Sequence, residues 1–332
     1  MTKELPSLRI PTRARNPEGA PRRVGVELEM NGLTLDALAQ VVAMAIGARI
    51  SSRGRYERVL TGDPAGDWLV EIDFELLKQL GREDHDTETL AGGIEESVED
   101  ALKWITTPLV PLEVVSPPLP MARLDEVEDL IAKLREAGAR GTSDRLVNAF
   151  GMQLNVEIPR ADADTLTAYL KAFLCLYDWL FARADINVSR RVTSYIDPFP
   201  NEYVLQVIDP AYQPERAALI DDYLAASPTR NRALDLLPLF LHLDEARVRR
   251  VTDDPRIKPR PAFHYRLPDS RIDQPNWGLH CAWNDWIEVE RLAADPERLT
   301  ACAGRYRAIV DSAFERLLGN WADEVEREWL GR

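Results

Sequence analysis

The sequence predicts an α+β fold with a mostly antiparallel sheet, flanking helices and a helical insert. Three observations predict it. Five short segments alternate apolar and polar residues: VGVELEM (24–30), WLVEIDFEL (68–76), PLEVVSP (111–117), GMQLNVEI (151–158) and AFHYRL (262–267). Helical patterns are scattered among the first four and then crowd together before the fifth, an order that suits an α+β fold better than a doubly wound one. Neither GxGxxG nor GxxxxGK[ST] occurs, so the glycine fingerprint of nucleotide-binding parallel sheets is missing.

Residues 1–22, rich in Pro and Arg, read as an extended arm ahead of a single domain over 23–332. In the first strand, alternation puts Val24, Val26, Leu28 and Met30 on one face and Glu27 and Glu29 on the other. A short helix over 34–48 follows, with Thr34 as its N-cap and Gly47 near its end. The run from RYERVL to WLVEIDFEL reads as a hairpin about Gly62-Asp63-Pro64-Ala65-Gly66, and its second strand sets Glu71, Asp73 and Glu75 opposite Val70, Ile72 and Phe74. Helices are expected over about 87–105 and 123–138. The strand at 151–158 sets Gln153, Asn155 and Glu157 opposite Met152, Leu154 and Val156. The helical insert covers about 161–250, the strand bearing His264 and Arg266 comes next, and helix closes the chain over 285–330. WGLHCAWNDW (277–286) is either core or a stacking platform.

The 332 residues carry a formal charge of −14, which argues against nucleic acid or an anionic membrane surface as partner. A magnesium-bound nucleotide is repelled far less by carboxylates. With no signal-peptide pattern and no bilayer-length apolar run, a cytoplasmic location is expected. Cys175, Cys281 and Cys302 are widely spaced and suggest neither disulfides nor a thiolate metal site, and Cys175 sits in an apolar run that should bury it. The histidines, His85, His242, His264 and His280, lack zinc-hydrolase spacing, and no nucleophile elbow is present.

The polar faces hold the chemistry. Carboxylates at i and i+2 on one strand face repel unless a cation lies between them, and the arrangement recurs on several strands. Glu27, Glu29, Asp73 and Glu113 come from three strands and would converge on one sheet face as oxygen donors for a hard divalent cation. Arg266 and the run Arg256, Lys258, Arg260 would supply counter-charge for phosphates. The plainer readings are a solvated strand face, an Arg266 paired with a neighbouring carboxylate, and a solvated basic loop.

VGVELEM, the strand with Glu71 and Asp73, EVVSPPL (113–119), GMQLNVEI and FHYRLPDSRID (263–273) together resemble the amidoligase family, carboxylate–amine ligases related to glutamine synthetase and glutamate–cysteine ligase. The resemblance implies a curved antiparallel sheet of the glutamine-synthetase-like type holding ATP and magnesium, with manganese as a substitute. It implies an acyl-phosphate route to an amide or isopeptide bond on an amino acid or peptide. On it, Glu27, Glu29 and Glu113 are metal ligands, Asp73 is a metal or substrate-amine group, and Arg266 contacts phosphate. Gln153, Asn155 and His264, with Lys258 and Arg260, fall to the nucleotide. Three positions depart from the family pattern: Gln153 and Asn155 stand where two histidines are common, and His264 where a glutamate is. These departures keep open a non-catalytic, nucleotide- or partner-binding protein, and the related scaffold keeps open a phosphotransferase. A glutamine-amidotransferase-like hydrolase is a candidate partner, and the oligomeric state is open.

Overall fold

A computed structural model describes residues 6–52, 54–73, 111–142, 150–184, 197–311 and 320–330. In chain order the elements are β1 (Arg23–Met30), α1 (Leu35–Ile46), β2 (Arg49–Ser52), β3 (Glu57–Thr61), β4 (Trp68–Ile72), β5 (Leu112–Val115), β6 (Leu119–Pro120), α2 (Leu124–Glu136) and β7 (Met152–Glu157). There follow α3 (Ala163–Ala184), α4 (Asn201–Ile208), α5 (Arg216–Ala226), β8 (Leu234–Asp235), α6 (Leu237–Leu243), α7 (Glu245–Arg249), β9 (Ala262–Tyr265), α8 (Leu279–Ala293), α9 (Pro296–Asp311) and α10 (Trp321–Glu324).

The strands form one open sheet in the order β2-β3-β4-β5-β1-β7-β9-β8, with β6 paired to the start of β1. Every pairing between named strands is antiparallel. Among the described residues the expected alternation is realised on the back face: Val24, Val26, Leu28, Met30, Val70, Ile72, Leu112, Val114, Met152, Leu154, Val156, Phe263 and Tyr265 all lie in the core. Helices α3 and α8 pack there. Tyr169 of α3 stacks on Phe263 at 4.9 Å, and Trp286 of α8 sits 5.7 Å from Phe263 and 5.4 Å from Tyr265. Trp277, Trp283 and Trp286 are buried, so WGLHCAWNDW is core and not a stacking platform.

Local signals explain the ends of the elements. Thr34 Oγ1 accepts from the Ala37 amide at 3.2 Å, and Gly47 closes α1 in the left-handed region at φ 67°. In the β3–β4 turn, Asp63 accepts from the Ala65 amide and the Trp68 indole and takes both arms of Arg123 at 2.7 and 2.9 Å. That fork holds the Asp63 carboxyl well below the ordinary carboxylate range.

Two expectations need correction. The insert over 161–250 is not purely helical, because β8 adds a strand beyond β9; two residues are too short to show a period. The arm does not simply extend: Arg22 is fully buried and forks onto Glu290 of α8 at 2.8 and 2.9 Å. His242 lies exposed on α6. Cys175 is buried as expected. Glu75, Phe74, His85 and the helix expected over 87–105 lie outside the described residues. No helix among the described residues is long and apolar enough to cross a membrane.

Candidate active site

Strand register turns the front face into rows. Glu29 pairs with Glu113, Glu113 with Glu71, and Glu71 with Glu57, so four glutamates from β1, β5, β4 and β3 stand side by side. Directly opposed Cβ atoms in such a ladder are about 4.5–5.5 Å apart. Burial first, then Glu27, Glu29, Asp73 and Glu71, push the Glu113 carboxyl well above its ordinary value. Burial, Glu57, Asp73 and Glu27 raise Glu71 in the same sense. Asp73 follows directly on β4, its amide donating to the Pro111 carbonyl at 3.0 Å.

The next row pairs Gln153 with Glu27, Glu27 with Val115, Val115 with Leu69 and Leu69 with Val59. The three apolar members lie outside the main core and make an apolar strip beside the carboxylate ladder. The third row runs Gly25, Asn155, His264, Asp235. Gly25 has no side chain to stand over this row.

A hydrogen-bonded mesh ties the rows together. Asn155 Nδ2 donates to Glu27 Oε1 at 2.8 Å, and Gln153 Nε2 donates to Glu29 Oε1 at 2.8 Å. The Gly151 amide takes the second oxygen of Glu29 at 2.7 Å. These donors turn both amide oxygens towards His264, whose Nδ1 lies 2.7 Å from Asn155 Oδ1 and whose Nε2 lies 2.9 Å from Gln153 Oε1. Burial, reinforced by Arg266, Arg260 and Arg230, pushes the His264 imidazole down to about 3. A neutral ring has one N–H and can donate to only one of the two oxygens.

Opposite the acidic ladder the face is basic. Arg260 Nη1 donates to Glu27 Oε1 at 2.9 Å and to Asn155 Oδ1 at 2.6 Å. Burial opposes the Glu27 charge, but His264, Arg260 and Asn155 all face it and hold its carboxyl down to about 2. Arg266 and Arg230 act electrostatically on both His264 and Asp235. Burial outweighs those arginines at Asp235 and pushes it up to about 6.

Most of the expected site residues therefore share one surface: Glu27, Glu29, Asp73, Glu113, Gln153, Asn155, His264, Arg260 and Arg266. Lys258 lies exposed on the loop before β9. Arg256 is taken up by Asp254, with contacts down to 2.7 Å. Glu57, Arg230 and Asp235 escaped the sequence reading. Glu57 had a usable signal, because ERVLT alternates in the frame of its neighbours. Arg230 and Asp235 had none, lying in a stretch that reads as helix.

The donor set suits a hard divalent cation, since the ladder offers oxygens alone and the Glu113 charge, crowded by like charges, gains most from a counter-ion. Among the described residues no three acidic, imidazole or thiol side chains already stand together as a metal-binding set. Glu27 and Glu29 are instead engaged by protein donors.

This face belongs to a known class of chain. Residues 20–288 match the model of a protein family described as "Putative amidoligase enzyme". The match spans most of the sequence, all nine strands and the whole site, and the chain belongs to that family. Membership points to an amide-bond-forming ligase. No curated protein and no solved structure matches the chain.

Proposed function

We propose that the protein is an ATP- and magnesium-dependent carboxylate–amine ligase that joins an amino acid or peptide through an acyl phosphate. One observation carries this reading: a single sheet face sets a carboxylate ladder (Glu29, Glu113, Glu71, Glu57) beside a guanidinium group (Arg260, Arg266, Arg230), with Glu27 and Arg260 in contact at the seam. Such a divided surface suits a triphosphate carried by a divalent cation.

Glu113, Glu29 and Glu27 would hold that cation, which when bound supplies charge neutralisation for the phosphates. Arg260 and Arg266 would orient the γ-phosphate and stabilise the charge that develops on its oxygens during transfer. A substrate carboxylate oxygen attacks the γ-phosphorus and ADP leaves. The ammonium gives one proton to Asp73, the free amine attacks the acyl carbon, and phosphate leaves carrying the second proton of the new amide nitrogen. Asp73, at the rim of the ladder, would hold the incoming ammonium by charge, and the strip Val59, Leu69, Val115 offers an apolar seat for a base or side chain.

A second reading has its own observation. Glu27 and Glu29 are already satisfied by Arg260, Asn155, Gln153 and the Gly151 amide, as in a face that no longer needs a metal. That favours a nucleotide- or partner-binding protein without catalysis.

Calorimetric titration of ATP with and without magnesium, for the wild type and Glu27→Gln, followed by an ADP-release screen, separates the two. Magnesium-dependent binding lost in Glu27→Gln, with ADP released when a carboxylate and an amine are both present, is the expected result. Binding without ADP release across a broad screen would leave the non-catalytic reading, and no binding at all would remove both nucleotide readings.

A further inference from the structure

Where the arm crosses the segment after β7, a groove of about 700 Å³ opens between them. Arg13 and Arg15 of the arm line one side, and Pro159, Arg160, Asp162 and Thr165 line the other. Its volume falls within the range of about 300–1,000 Å³ usual for ligand clefts. The arm wall is tied in place from several directions. Arg15 bridges to Pro21, the Arg22 amide donates to the Ala14 carbonyl at 3.0 Å, and Asn16 Oδ1 accepts from the Ala20 amide at 2.9 Å in the turn between. The buried Arg22 side chain donates to the carbonyls of Arg13 and Glu157, each at 2.7 Å. Asn16 Nδ2 also donates to Glu157 Oε1 at 3.0 Å. The wall that carries Arg13 and Arg15 is therefore fixed to the end of β7 before any ligand arrives.

The charges in the groove do not balance. Among the described residues its one lining carboxylate is Asp162, and Arg160 Nε already donates to it at 2.6 Å. Arg15 Nη1 donates to the Gly19 carbonyl at 2.5 Å, an acceptor without charge. Among the described residues the Arg13 guanidinium has no hydrogen-bond or ion-pair partner. Two cations thus lack a counter-charge in a chain whose formal charge is −14. A groove of that kind attracts anions locally while the rest of the surface repels a long polyanion such as a nucleic acid.

We propose that this groove docks an acidic peptide in extended form, with carboxylates at alternate positions seated on Arg13 and Arg15. The two arginines stand two residues apart on an extended segment, so their side chains leave one side of it at a spacing of about 6.6 Å. An extended peptide repeats its own side chains at that same interval. Each guanidinium can then take one carboxylate as a planar fork. The groove also lies in line with the front face: from Asn155 to Pro159 is about 13 Å of extended chain. A peptide moored here could carry its end along β7 towards Glu27 and Arg260. The choice of a peptide rests on the ligase reading above, whereas the unbalanced charge of the groove does not.

The test is calorimetric titration of acetylated, amidated Glu-Ala-Glu into the full chain, without magnesium or nucleotide. Saturable binding is expected at low salt, weakening as salt is added, with none for Gln-Ala-Gln. Arg13→Gln and Arg15→Gln together should weaken it about tenfold. Both side chains are exposed, so the thermal midpoint of the double variant should match wild type. Its magnesium-dependent ATP titration should match wild type as well. No saturable binding of Glu-Ala-Glu, or equal affinity in wild type and variant, would overturn the proposal. Inorganic phosphate bound as tightly as the peptide would overturn it too, leaving a simple anion site, and so would loss of ATP binding in the variant, which would merge the groove with the nucleotide site. If ATP binds neither protein, the ligase reading fails, and the peptide titration still decides the groove.

Discussion

Glu27 and Arg260, 233 positions apart in sequence, meet at 2.9 Å on the seam between the acidic and basic halves of the sheet face. The contact fixes the ionisation of the glutamate and the reach of the arginine at once. Arg260→Met should therefore do more than remove a phosphate contact: it frees Glu27 and leaves Asn155 Oδ1 without one of its donors. ATP affinity in the presence of magnesium should fall about 10- to 100-fold, since a charge-assisted hydrogen bond to a phosphate contributes on the order of 1.5–3 kcal/mol. Titration calorimetry reads the change. Affinity unchanged within twofold would exclude Arg260 from the nucleotide site.

Glu113 is flanked by Glu29 and Glu71 in the ladder, so its charge opposes folding until a cation arrives. Glu113→Gln should raise the stability of the metal-free protein by about 1 kcal/mol while abolishing most magnesium-dependent ATP binding. Thermal melts with and without magnesium check this. A variant less stable than wild type without metal would contradict the like-charge account.

The same group predicts a pH dependence. A carboxyl raised in the folded state contributes stability that is present below its unfolded value and lost as pH rises through its folded one. The advantage of Glu113→Gln over wild type should thus be largest near pH 8, shrink on acidification and be gone below about 4.5, the ordinary glutamate value. For Asp235→Asn the fade should run between about 6 and 3.8. Glu27→Gln has the opposite sign: the stability it forfeits is present above 4.5 and is lost by wild type as pH falls towards about 2. Denaturant midpoints across pH would show three curves of these shapes.

Arg22 and Glu290 are both buried and joined by a fork. Arg22→Met strands a buried carboxylate and should cost about 3–5 kcal/mol, whereas Arg22→Met combined with Glu290→Leu should recover much of that loss. Chemical denaturation measures both. Equal losses in the single and double variants would mean that the pair matters mainly for packing.

The sheet was readable because alternation is a local signal: Val24 to Met30, Met152 to Val156 and Phe263 to Tyr265 announce their faces within a few residues. Site residues on those strands followed with them. Arg260 was singled out by its charge, while its contact with Glu27 depends on a register that no local pattern specifies. Asp235 was hidden because a two-residue strand has no period, and Arg230 because it precedes that strand in a stretch that reads as helix. A run of basic residues does not say which side chain a loop turns inward: Arg260 reaches Glu27 while Lys258 is exposed. The Arg22–Glu290 fork joins the arm to a late helix, and a residue with so exposed a usual habit gives no sign of burial.

Strand order sets a timetable for the ribosome. β1 is made first yet lies in the middle of the sheet, between β5 and β7, and the basic edge is supplied only by β8 and β9. A growing chain can assemble the carboxylate ladder once β5 has emerged, but Glu27 must wait for Arg260, 233 residues further along the chain. Until then the carboxylate ladder lies beside a Glu27 that lacks its arginine partner, and the counter-charge of this face is among the last of its features to arrive.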